Sequence, residues 1–218
     1  MKLYYSSKFI NRDLKRYLRV PHLDNYSTIL NEDLVSMFML TCNHFHNVDH
    51  LTLLYSKSHY GNSFSDLLLS LKGYVGPTLI LLKHAEKDAE NPKANSMYVF
   101  GGFSSTPWEE ELSYQGNGEC FVFSLIPKFR KYYSLLGEGG QNYLYLNGKK
   151  MAHSKYKVGL GFGGINYDSF RIWIDENLEK GSYTSPEDHT FEKGALIDPS
   201  IKQLNVIRCR GYSVLSIF

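Results

Sequence analysis

The sequence has 218 residues, with 24 Lys and Arg against 22 Asp and Glu, a net charge of +2. A hydrophobic fraction of 43% with 21% charged residues excludes intrinsic disorder, and the near-neutral balance excludes whole-chain nucleic-acid binding, which calls for a basic domain. One domain with a short extension is expected, able to bury ~70% of its unfolded surface without disulfides or metal.

Charge is unevenly placed. Residues 1–20 hold six basic side chains against Asp13, net +5, and the remainder holds 18 basic against 21 acidic, net −3. Ile10, Leu14, Tyr17 and Leu18 recur at helical spacing, so this basic leader is predicted to be an amphipathic helix ended by Pro21. Two readings stay open for it, a solvated helix face or a contact for an acidic partner or anionic membrane. A second helix is predicted after the N-cap Asn31, with Glu32 and Asp33 in its first turn. Its apolar face is Leu34, Val35, Phe38, Met39 and Cys42. A third starts at the capping box of Ser63 and Asp66, with Phe64, Leu67, Leu68 and Leu71 in helical register until Gly73.

Beyond Gly76-Pro77 the texture turns to strands. Residues 77–83 and 97–104 predict a hairpin, and further strands are expected at 119–126, 130–135, 142–146, 169–175 and 204–208. In the stretch 169–175, Phe170, Ile172 and Ile174 alternate with Arg171, Trp173 and Asp175. An aromatic content of 15%, with 17 Tyr and 13 Phe, favours sheet. Short strands separated by glycine-rich turns are the pattern of a sandwich or barrel. Without βαβ alternation, a parallel nucleotide-binding sheet is not expected.

Cys42, Cys120 and Cys209 are isolated, with no C-x-x-C pair, and suit free thiols in a reducing compartment. The N-terminus has no secretory core, no Gly follows Met1, and no prenylation Cys lies near Phe218. The sequon at Asn25 carries no weight without a secretory route, so a cytoplasmic protein is expected. No apolar run approaches the ~18 residues of a membrane span.

Several motifs invite chemistry. His44, His46, Asp49 and His50 evoke the two-metal pattern H-x-H-x-D-H, but one extra residue separates His46 from Asp49. That shift turns the Asp-His pair away, and His also suits the negative end of a helix dipole. No metal is expected there. Gly159, Gly161 and Gly164 satisfy G-x-G-x-x-G in form, yet no helix follows to receive a phosphate, so the run reads as tight turns and close backbone approach. Glu109, Glu110 and Glu111 are a solvated acidic turn or a protein-contact patch. Asp175 and Glu176 end a strand, either as an acid–base pair or as a turn cap. Glu119 enters a strand from the glycine turn at Gly116 and Gly118, either accepting backbone N–H groups or facing a ligand. Ser124, Ser182 and His189 lack the elbow and oxyanion signature of a hydrolase.

Taken in order, LTLLYS at 51–56, GNSF at 61–64, GPTLILLK at 76–83 and YVFGGFSSTPW at 98–108 resemble the TLDc domain of oxidation resistance proteins. So do YQGNGECFVFSL at 114–125, NYLYLN, GLGFGG and FRIWIDENLEKGS at 170–182. NYLYLN and GLGFGG look most like the lysosome-associated, mTOR-linked branch. Two departures are a His-Thr-Phe at 189–191 where the family often has Cys before Thr-Phe, and a final strand reading LNVIRC. The branch's calcium-hand-like region and C-terminal helix are not expected within these residues.

The resemblance divides the chain into a basic helical leader, 1–28, and a TLDc-like domain, 29–218. It implies a mainly β fold, a two-sheet antiparallel sandwich flanked by short helices. Its site residues fall on Trp108, Gly118, Glu119, Asp175 and Glu176. It implies a non-enzymatic monomer without cofactor that binds the peripheral stalk and catalytic head of the vacuolar proton pump (V-ATPase). Recruitment to lysosomal or vacuolar membranes and a part in oxidative-stress resistance come with that role. The alternative is a cryptic hydrolase or ligand-binding domain using Glu119 with Asp175 or Glu176.

Overall fold

Unbroken apolar runs at 79–82 and 121–123 belong to strands covered on both faces. The computed structural model describes residues 20–217 apart from 25–26, 28, 47, 88–94, 136–139, 151–154, 168, 184–187, 197–206 and 209–210. In chain order, the strands are β1 (His22–Leu23), β2 (His50–Ser56), β3 (Thr78–Lys87), β4 (Asn95–Ser104), β5 (Phe121–Ile126) and β6 (Arg130–Tyr132). After them come β7 (Leu144–Asn147), β8 (Gly159–Phe162), β9 (Ile172–Asp175), β10 (Lys180–Tyr183), β11 (Ile207–Arg208) and β12 (Gly211–Ile217). The helices are α1 (Glu32–Thr41), α2 (Lys57–Tyr60) and α3 (Phe64–Leu71), with a 3-10 turn at Asn43–Phe45 after α1.

Seven strands make one sheet in the order β1-β2-β12-β3-β4-β5-β6, and five make the other in the order β11-β10-β9-β8-β7. Every pairing is antiparallel except β1 with β2, which run parallel with His22 opposite His50. The fold is therefore the mainly β, two-sheet architecture expected.

Side-chain alternation splits the apolar residues into two cores. Ile80, Leu82, Phe100 and Val122 face the second sheet and meet Leu144, Leu160, Phe162, Ile172 and Ile174. Leu79, Leu81, Phe103, Phe121 and Phe123 face the other way, against Val35, Phe38 and Met39 of α1 and Phe45 of the 3-10 turn. Close approach between the sheets depends on Gly102, where a Cβ would lie 2.5 Å from the Phe162 ring.

Both helix starts follow the predicted caps. The Asn31 side chain accepts from the Leu34 N–H at 3.0 Å, and the Ser63 hydroxyl accepts from the Asp66 N–H at 3.2 Å. Gly73, at φ 78°, lies just past α3. The leader helix lies outside the described residues, as do residues 204–206 of the expected last strand.

The strand boundaries need corrections. Residues 159–162 form β8 rather than turns, while the turn is confined to Gly163 and Gly164, at φ 65° and 112°. The strand expected at 169–175 begins only at Ile172, because the backbone at Ser169 is taken up in a turn with Ile165 and Asn166. The strand expected at 130–135 stops at Tyr132, and Ser134 makes an isolated bridge to Phe191. The LNVIRC segment is not the last strand, since β12 follows it and sits between β2 and β3. Among the described residues no helix is long and apolar enough to cross a membrane.

Candidate functional site

The turn 116–119 is built by Asn117. Its side-chain oxygen accepts from the Glu119 N–H at 2.9 Å and from the Ser105 hydroxyl at 2.8 Å. Gly116, at φ 95°, lies where a Cβ would stand 3.0 Å from Leu144 and Tyr143, so the turn packs directly on β7. The Gly118 carbonyl accepts from the Ser134 hydroxyl at 2.5 Å. Asn117, then, takes the backbone role that the sequence left open for Glu119. The Glu119 side chain is 63% exposed and stands 3.9 Å from His44 Nε2. His44 in turn lies over Phe103, with ring centroids 4.9 Å apart.

Asp175 ends β9 and caps the turn into β10, its Oδ1 accepting from the Glu179 N–H at 3.3 Å. Leu178 in that turn is buried at φ 53°, and its carbonyl accepts from Lys57 Nζ at 3.4 Å. Asn62 Nδ2 donates to Glu179 Oε1 at 3.1 Å. The GNSF and IDENLEKG stretches thus meet as a clasp between α2 and the β9–β10 hairpin. Glu176 is exposed beside it. Glu119 leads into the seven-stranded sheet and Asp175 ends a strand of the five-stranded one.

Trp108 is buried at 5% exposure. Its Nε1–H donates to Thr78 Oγ1 at 2.8 Å and its ring meets Phe162 edge-on at 5.4 Å. It ties the segment after β4 to β3 and to the second sheet, so its place is in the packing. Glu109, Glu110 and Glu111 are exposed, as expected of an acidic turn. Ser124 is committed within β5 and its turn, donating to the Lys128 carbonyl at 3.0 Å, while His189 is exposed.

The four residues of the suspected metal motif part company. His44 faces Glu119, and His46 closes the 3-10 turn. The Asp49 carbonyl accepts from the His22 N–H at 2.8 Å. His50 instead joins His22 and Asp24. Among the described residues these three are the His, Cys, Asp and Glu group whose ligating atoms all lie within 4.8 Å of one another. Their spacing in sequence hides this, because it takes the β1–β2 register to bring residue 22 opposite residue 50.

A buried ion pair was also missed. Arg171 Nη1 lies 3.5 Å from Asp188 Oδ2, both side chains essentially without exposure. Arg171 Nη2 donates to the Gly194 carbonyl at 2.5 Å, and the guanidinium lies 5.2 Å from the Tyr132 ring centroid. Asp188 Oδ1 accepts from the Gly164 and Thr190 N–H groups at 3.1 and 2.9 Å. Burial pulls the Arg171 pKa down, against the opposing pull of Asp188. The pair fastens the Gly163–Gly164 turn to the loop carrying Asp188.

Two of the three thiols are enclosed, while Cys209 lies outside the described residues. Cys42 and Cys120 are both buried and free, and burial pushes the Cys42 thiol above its ordinary value. An outer-face aromatic cluster joins Tyr114, Tyr145, Tyr167, Phe170 and Trp173, with Phe170 stacked on Trp173 at 4.5 Å. Tyr114 donates to the Asn166 carbonyl at 2.8 Å, and burial pushes its phenol above the ordinary range.

Comparison with known proteins covers nearly all of this architecture. The TLDc domain model matches residues 23–209. The human MTOR-associated protein MEAK7 is 33% identical over 173 residues, covering 70% of this chain and 33% of that protein. The zebrafish (Danio rerio) protein of the same name is 34% identical over 129 residues, 59% of this chain and 25% of its own. Bovine (Bos taurus) oxidation resistance protein 1 is 28% identical over 145 residues, covering 65% of this chain and 14% of that protein. The chain thus spans a third or less of the length of these relatives.

Proposed function

The chain belongs to the TLDc domain family, and from that membership we propose that it is a non-enzymatic regulatory module that binds the vacuolar proton pump. The match of the family model across residues 23–209, which takes in the whole five-stranded sheet and β2 to β6 of the other, carries this reading. The module docks on the peripheral stalk and the catalytic head. By binding the assembled and disassembled pump with different affinity, it shifts the balance between them.

Two site observations support a binding role over a catalytic one. The Asp175 carboxylate caps a hairpin, and the exposed Glu119 has His44 as its described partner. Exposed Glu109, Glu110, Glu111 and Glu176 supply charged surface of the kind used to orient a protein partner. The similarity to oxidation resistance protein 1 supports a part in oxidative-stress resistance. Buried thiols with a raised pKa make poor nucleophiles, so that protection works through the partner instead of through thiol chemistry at Cys42. On this reading the protein is a cytoplasmic monomer, recruited to lysosomal or vacuolar membranes by the pump. Because the mTOR-associated relatives are at least three times longer than the matched part, association with mTOR is not part of the proposal.

The test is affinity purification of the full chain from its own organism. Enrichment of peripheral-stalk subunits is expected, and a preparation without any pump subunit would sink the reading.

A further inference from the structure

We propose that His22, Asp24 and His50 form a binding site for a divalent zinc-class metal ion at the edge of the seven-stranded sheet. The backbone holds the three residues in place. The parallel register sets His22 opposite His50, the His22 N–H donates to the Asp49 carbonyl at 2.8 Å, and the Asp24 N–H donates to the Leu51 carbonyl at 3.1 Å. Thr52 Oγ1 donates to Asp24 Oδ2, which leaves Oδ1 turned to the two imidazoles.

The distances suit a metal better than they suit hydrogen bonds. His50 Nδ1 and His22 Nδ1 lie 3.4 and 3.5 Å from the same Asp24 Oδ1. An N–H···O bond is usually ~2.9–3.0 Å long. Ligands each ~2.0–2.1 Å from a tetrahedral zinc stand ~3.4 Å from one another. Both imidazole–carboxylate separations therefore match an edge of a zinc tetrahedron, and all three ligating atoms lie within 4.8 Å of one another. The rings meet edge-on with centroids 6.1 Å apart, and all three side chains are open to solvent, so an ion has an approach path.

The donor set selects the ion. Two imidazole nitrogens and one carboxylate favour zinc and its neighbours over calcium or magnesium, which prefer all-oxygen sites. Three protein ligands leave one tetrahedral position for water or a group from a partner. A bound ion would fasten residues 22–24 to the start of β2, adding to a pairing that spans only two residues. This site is separate from the proposed pump-binding role and stands or falls without it.

Calorimetric titration of the full chain with Zn(II), followed by Co(II) absorption spectroscopy, tests the proposal. One equivalent of Zn(II) is expected to bind, with a tetrahedral nitrogen–oxygen spectrum for Co(II) and a higher melting temperature in zinc. His50→Ala and Asp24→Asn are expected to weaken binding at least ~10–100-fold, whereas His44→Ala and His46→Ala leave it unchanged. Thr52 is a positioning residue: Thr52→Ala lowers zinc affinity by a smaller factor and Thr52→Ser restores it, which keeps the test open should a ligand variant fail to fold. No stoichiometric binding, or binding unchanged in the His22→Ala/His50→Ala double variant, would overturn the site.

Discussion

Trp108 Nε1 and Thr78 Oγ1 are 2.8 Å apart, and both residues are buried, so neither group has water as a substitute partner. Thr78→Val keeps the shape and strands the indole N–H, and should lower stability by ~1–3 kcal/mol. Trp108→Phe in the same background should show coupling, with the double variant losing less than the two single losses together. Chemical denaturation of the four proteins measures this cycle.

Asp188→Ala should be more damaging. It leaves the Arg171 guanidinium buried without its counter-charge, a change that costs ~3–5 kcal/mol. Asp188→Asn should cost less, because its amide oxygen still accepts from the Gly164 and Thr190 N–H groups. An Arg171→Met/Asp188→Asn pair should recover much of the loss, since it removes the unpaired buried charge and keeps the acceptor for those two N–H groups. Urea midpoints compare the three, and an Asp188→Ala midpoint equal to that of the parent would refute the account.

At Gly102 the space between the sheets is fully used. Gly102→Ala places a methyl 2.5 Å from the Phe162 ring and should cost ~1–3 kcal/mol through overpacking. Phe162→Leu in that background should return part of it, as read from thermal melts.

Alkaline pH should loosen the fold. Burial raises the phenol pKa of Tyr114, and it also raises Tyr145 and Tyr55, above the ordinary 10.0. The folded state then keeps phenol protons that the unfolded chain releases, so stability is intact below about pH 10 and declines as pH rises beyond it. Tyr114→Phe should flatten that decline. Denaturation midpoints at rising pH, with tyrosinate absorbance as the second readout, check the sign.

Helix α1 was legible because its buried residues fall at the 3.6-residue period and its cap is a strong local signal. Strand β8 was not, because its glycines resemble turn residues. A Cβ on Gly161 would stand 2.5 Å from Phe170, and one on Gly159 would stand 2.5 Å from Trp173, so these glycines make room for aromatic rings lying on the sheet. Strand β12 escaped for another reason. Its residues, GYSVLSI, place Ser among the apolar residues at both sets of alternating positions, so no period-two pattern marks it, although it runs in unbroken register along β3. Arg171 looked like an outward residue of an alternating strand, since nothing near it in sequence announces Asp188 as its partner. For the family-motif residues, neighbours in the fold set the structural roles: Trp108 packs, Asp175 caps, and Glu119 is exposed.

The last strand in sequence lies third in the seven-stranded sheet, paired with β2 on one side and β3 on the other. During synthesis these two strands emerge early and stay without their shared neighbour until residue 217 has left the ribosome. Completion of the sheet is therefore gated by the tail of this sequence, and the long loops it closes make for slow folding. A chain shortened before Gly211 would present two facing, unpaired edges, a slot shaped to receive a donated strand. The same slot makes premature termination a route to aggregation, and it offers a place to split the protein into two fragments that recombine.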